Sequence, residues 1–196
     1  MARAGLTPER VTDAALSIID ELGGDALTLA AVAERTGVAS PSLYKHVTGL
    51  TELRTRVMVR VLEEITTTLT AASVGRSGAD AVTRLMHAYR GYAVAHPARY
   101  AAMPADPLHD PLLAEAAQRQ LTVILAVLAG WGIDGADAIH TTRALRALVH
   151  GFAHIESAGG FGLADDVDES FHRMTTMFVS ALAALPREPA NSEETP

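Results

Sequence analysis

Ser40, Ser42, Tyr44, Lys45 and His46 crowd into seven consecutive residues, with Pro41 and Leu43 between them. Each of these polar side chains can donate a hydrogen bond, and Lys45 is the only lysine in a chain of 196 residues. With Leu43 turned inward, the others occupy the outside of a short helix, where hydroxyl, ammonium and imidazole groups suit phosphate oxygens and base edges. His150 and His154 stand four apart, a helical spacing that can bind zinc. Gly151 follows His150 where a hydrolytic zinc site carries glutamate, and no third ligand is in register. The two histidines therefore read as packing or cavity-lining groups, and no metal is expected. Asp165, Asp166, Asp168 and Glu169 lack the alternating order of a calcium loop and suit a helix N-terminus instead. Without cysteine there is no thiolate metal site, disulfide framework or cysteine nucleophile. Neither a glycine-rich phosphate loop nor a G-x-S-x-G elbow occurs, so binding is expected rather than catalysis, and no cofactor.

A helical frame must position these groups. Apolar residues make up 48% of the chain and recur at three- and four-residue spacing nearly everywhere, which predicts an all-α fold. Thr7-Pro8-Glu9 starts a first helix whose inward face is Val11, Ala14, Ala15, Ile18, Ile19 and Leu22, and Gly23-Gly24 ends it. Thr28 caps a second, with Leu29, Val32 and Ala33 inward and Gly37 as its stop. A third runs from Ser40 to about His46. Together, over about 28–48, the pair has the dimensions of a helix-turn-helix, whose second member fits a DNA major groove. The fourth helix, about Thr51 to Ala72, carries the stripe Leu53, Val57, Val61, Ile65 and Leu69, which is longer than a three-helix head requires. It should extend into the remainder of the protein. Further helices follow over about Ala79 to Ala95, briefly after Pro97, then Pro111 to Trp131, Ala136 to Ser157 and Asp168 to Leu185. The organisation is thus a head over 7–67, a second helical body over 78–186 joined through Ser73–Gly78, and a proline-rich acidic tail over 187–196 expected to be disordered. No apolar run approaches the ~20 residues of a membrane span. The N-terminal residues lack the apolar core of a signal peptide, so a cytoplasmic protein with no membrane association is expected.

A net charge of −7 argues at first against a polyanionic partner. Its distribution does not. Residues 1–60 hold seven basic and seven acidic groups, so the whole negative surplus lies after residue 60. Within 37–60 four basic residues face one acidic residue, and Lys45 is among them.

The stretch LTLAAVAERTGVASPSLYKHVTGLTEL resembles the DNA-binding head of the tetracycline-repressor (TetR) family, and the resemblance covers about residues 7–70. It implies phosphate contacts from Thr28, Tyr44 and His46, and base contacts from Ser40, Pro41, Ser42 and Lys45. Two positions depart from the family pattern: Leu50 stands where many members grip a phosphate with lysine, and Leu29 and Ala30 replace long polar base-reading groups. Base reading then falls on few residues. The missing lysine also leaves open a helical ligand-binding or protein-interaction dimer that has lost DNA affinity. Further along, LVHGFAHIESAGGFG, around His150-Gly151, resembles a C-terminal module of the same regulators. The resemblance implies a small-molecule effector cavity, for which Tyr89, Tyr92, Trp131, His150, Phe152 and His154 are the candidate lining. It also implies a homodimer built by the last two long helices through Ala144, Ala147 and Gly151 on one and Phe171, Met174, Phe178 and Leu182 on the other. A dimeric, ligand-responsive repressor of double-stranded operator DNA is the expected function.

Overall fold

The computed structural model describes residues 5–185, and among them the regular structure is helical: α1 Pro8–Leu22, α2 Leu29–Thr36, α3 Ser40–Leu43, α4 Leu50–Ser73, α5 Gly78–Ala95, α6 Pro97–Ala101, α7 Ala114–Ala129, α8 Gly135–Ser157 and α9 Val167–Ala183. The tail at 187–196 lies outside the described residues. Local chemistry sets the helix starts. Thr7 accepts the Arg10 N–H ahead of Pro8 in α1, and Thr28 accepts that of Ala31 in α2. Asp166, rather than Asp168, caps α9 by accepting from the Asp168 and Glu169 amides.

The predicted α4 stripe is fully inside, with Leu53, Val57, Val61, Ile65 and Leu69 all buried. At 24 residues α4 extends about 36 Å, enough to run through both halves of the molecule. It packs against α1 at one end and against α5 and α7 beyond. One contiguous apolar core follows it, from Val11 and Leu43 in the head to Tyr89, Val149 and Phe171 in the body.

Several expectations need correction. Leu22 is 65% exposed, because the helix stops beside it at Gly23 and no later turn covers its side. The third helix is regular only to Leu43; residues 44–46 close as tighter i+3 turns, with Lys45 N–H donating to Ser42 O and His46 N–H to Leu43 O. That tightening returns Val47 to the core. Before α7, Asp110 organises a turn instead of the helix itself: its carboxylate accepts the Leu112 amide and its carbonyl accepts those of Leu113 and Ala114. The helix therefore begins at Ala114, not Pro111, and it ends at Ala129, short of Trp131.

Phe171 and Leu182 are buried against the chain's own core and offer nothing to a second copy, which corrects the expected interface. Met174 and Phe178 are half-buried along the same inward stripe, packed toward α5. Among the apolar residues of α9 and its C-cap, Met177, Ala181, Ala183 and Ala184 are exposed, with Met177 66% exposed. On α8, Ala144 and Ala147 are exposed and Gly151 is half-buried.

Candidate nucleic-acid interface and small-molecule cleft

The turn between α2 and α3 is set by Gly37, whose φ of 69° lies in the left-handed region that favours glycine. Its N–H donates to Glu34 O and the Val38 N–H to Ala33 O, the paired bonds of a Schellman motif. Val38 then packs on the core as Ala33 does. Beyond the turn, Leu43 and Val47 are the two buried anchors. The side chains around them are displayed: Ser40, Pro41, Tyr44 and Lys45 are exposed, and Ser42 and His46 are half-buried. Tyr44 is an apolar ring left 60% in solvent. Among the described residues no hydrogen bond or salt bridge engages the side chains of Ser40, Ser42, Tyr44, Lys45 or His46. A surface built only for solubility has no need to hold five unengaged donors, an exposed tyrosine among them, within one short segment.

Neighbouring charges are arranged differently. Arg35 is tied to Glu21 and Ser17, Arg56 to Glu52, and Arg60 to Asp13 and Glu64. Lys45 and Arg54 form no ion pair among the described residues, a distinction that a count of charges does not make. At the start of α4, Glu52 reaches back to accept the Thr48 amide at 2.6 Å and its hydroxyl at 2.7 Å, and Arg56 adds two further bonds. These bonds, the Thr48 amide foremost, hold the Glu52 carboxyl at about 2, well below the usual carboxylate range. Leu50, where a lysine was expected from the family pattern, is half-buried on the core.

The second site is a cleft of about 770 Å³ between α6, the segment after it, and the outer face of α8. It gathers Tyr89, His150 and His154, and it takes in Ala147, which had been assigned to the dimer interface. Three of the expected lining residues lie elsewhere. Tyr92 turns toward α4 and donates its hydroxyl to Glu64 at 2.8 Å. Trp131 covers Gly78, where a Cβ would meet its ring at 3.6 Å. Phe152 packs on Phe161 and Phe171 beneath the Arg90 guanidinium, which itself pairs with Glu156 and Asp168. Tyr100, Arg143 and Arg146 were missed, and all three line the cleft. For the two arginines the signal was present: 143, 146, 147, 150 and 154 recur at three- and four-residue spacing along one side of α8.

At the cleft, Tyr100 Oη lies 2.8 Å from His150 Nδ1 and 3.4 Å from Tyr89 Oη. Burial, then the neighbouring Tyr89, pushes the Tyr100 hydroxyl far above its ordinary range, so it remains a donor. Burial first, with Arg146 and His154 adding to it, pushes His150 down, toward the neutral ring. The other ring nitrogen, His150 Nε2, makes no hydrogen bond among the described residues. Among the described residues no group of three histidine or acidic side chains could hold a metal ion, and no helix is long and apolar enough to cross a membrane.

Comparison with known proteins adds a second line of evidence. Residues 11–49 match the family described as bacterial regulatory proteins, tetR family, and residues 82–178 match the tetracyclin repressor-like C-terminal domain. The uncharacterized HTH-type transcriptional regulator Rv0681 of Mycobacterium tuberculosis is 38% identical over 167 residues, covering 84% of this chain and 75% of that protein. The uncharacterized HTH-type transcriptional regulator YobS of Bacillus subtilis is 32% identical over 181 residues, covering 92% and 94%. Among solved structures, the transcriptional regulator SCO7222, a TetR from Streptomyces coelicolor, superposes with a TM-score of 0.76 at 23% identity, over 93% of this chain and all of that one.

Proposed function

This chain belongs to the tetracycline-repressor family of DNA-binding transcriptional regulators, which are not enzymes, and we propose that it acts as a homodimeric repressor released from its operator by a small molecule. The observation that carries the reading is the unengaged donor surface of residues 40–46, held out by two buried anchors. Lys45, Ser40, Ser42 and the Pro41 ring meet base edges, while Tyr44, His46 and the Thr28 hydroxyl hold phosphates. Two such heads about one helical turn of DNA apart read a near-palindrome, and occupying a promoter is sufficient for repression. The second copy pairs through the outward small and apolar residues of α8 and α9, Ala144 and Gly151 with Met177, Ala181 and Ala184. The protein acts where the genome is, in the cytoplasm.

The cleft supplies the release. A ligand that fits it in only one head-to-head geometry shifts the population toward that geometry. Fluorescence anisotropy with duplexes tiled across the region upstream of the protein's own gene tests the reading. One duplex is expected to bind at least about a thousandfold more tightly than scrambled sequence. Equal, weak binding to all duplexes would leave a ligand-binding dimer without operator function.

A further inference from the structure

The cleft has a chemical bias that goes beyond its being a ligand site. Its ionisable lining is basic or aromatic: Arg143, Arg146, His150 and His154 beside Tyr89 and Tyr100, with no aspartate or glutamate. Arg143 makes no hydrogen bond or ion pair among the described residues. Arg146 donates one Nη2 bond to the Ala105 carbonyl at 2.6 Å, which fixes its guanidinium at the cleft edge and leaves its other N–H groups unused. The acid within electrostatic reach of Arg146 is Asp106, and its carboxylate is already held by His109 Nδ1 at 2.7 Å. The lining also includes the apolar residues Ile65, Pro97, Met103 and Pro104.

We infer that the ligand of this cleft is an amphipathic organic anion, its oxyanion head taken by Arg143 and Arg146 and its apolar body laid against Ile65, Pro97, Met103 and Pro104. The inference rests on the cleft being the effector site proposed above and specifies what that site accepts. A neutral apolar molecule would cover two guanidinium groups without answering their hydrogen bonds, which is costly. A cation would meet the like charge of Arg143 and Arg146 and find no carboxylate in the lining. A carboxylate or a phosphate presents two or more oxygens to the planar guanidinium fork, the arrangement in which charge-assisted bonds are strongest. The space suits a molecule of modest size with an extended or ring-shaped body.

Isothermal titration of the full-length protein with a matched ten-carbon series below micellar concentration tests this: decanoate, decyl phosphate, decanol and decyltrimethylammonium. The anions are expected to bind at least about tenfold more tightly than decanol, the cation least. Decanoate against decyl phosphate identifies the head. Arg143→Gln, which breaks no bond of the folded chain, is expected to remove most of the anion advantage while decanol affinity holds. Arg146→Gln should act in the same direction, although it also frees the Ala105 carbonyl. A preference for decanol or the cation, an anion advantage that survives Arg143→Gln, or no binding by any member overturns the inference. Failure of the functional reading looks different, since it is read in the operator titration, where neither the duplex preference nor its loss depends on these probes.

Discussion

Tyr44 and Lys45 are adjacent, exposed and unengaged, yet the geometry assigns them different tasks. The Tyr44 hydroxyl lies at the end of a long ring and suits a backbone phosphate, which is the same for every sequence. Tyr44→Phe should therefore weaken all duplexes alike, by about 1 kcal/mol or roughly fivefold. Under the proposed function Lys45 reads a base edge, so Lys45→Ala should flatten the preference at one base pair per half-site by about 1–3 kcal/mol. Binding-site selection on both variants checks the pair: a Lys45→Ala logo identical to that of the native protein places base reading elsewhere. Glu52 gives a residue-scale test of the head's stability. Its carboxyl is lowered from 4.5 to about 2 on folding, so its contribution is complete above pH 4.5 and disappears as pH falls toward 2. Urea unfolding midpoints of native protein and Glu52→Gln should differ at pH 7 and converge near pH 2. A constant gap would show that charge is not what the Thr48 amide and Arg56 recognise.

At the scale of elements, α6 faces two ways. Pro97, Ala98, Tyr100 and Ala101 line the cleft, while Arg99 points to the head. There its guanidinium takes Asp20 of α1 through two bonds, one of 2.8 Å, and Glu64 of α4 at 2.9 Å; Glu64 also accepts the Tyr92 hydroxyl of α5. Four helices from head and body thus meet at one largely buried cation, and Asp20 is the largest influence holding that cation charged. A ligand that displaces α6 must move Arg99, and with it α1 and α4. Arg99→Ala should preserve binding of the tightest ten-carbon probe but reduce its effect on operator affinity by about fivefold or more. Operator titrations with and without saturating probe measure this, and an unchanged ratio would move the coupling to another path. The helices themselves were legible from periodicity, because the spacing of Leu53, Val57, Val61, Ile65 and Leu69 leaves one face to bury. What covers a face was not legible. Phe171 and Leu182 form a sound stripe in sequence, and nothing in a period distinguishes the chain's own α5 from a second copy. The same holds for Tyr92, Trp131 and Phe152, whose aromatic bulk does not indicate which side of a helix meets a cavity. Arg143 and Arg146 were passed over because charge on an exposed helix face ordinarily means solvation.

The whole molecule carries −7, all of it beyond residue 60. The structure sharpens that partition, since three of the head's arginines are spent on internal carboxylates while Lys45 and Arg54 form no ion pair among the described residues. In the proposed dimer an acidic body repels DNA except through two small heads, and few counterions are released on binding. Footprinting the native protein with hydroxyl radicals on the duplex selected by anisotropy addresses the central claim directly. Two protected patches on one face of the DNA, one helical turn apart and both lost together in a Tyr44→Phe/Lys45→Ala variant that still folds, are the predicted result. A single patch, or protection that persists without those two side chains, would contradict a dimer reading DNA through residues 40–46.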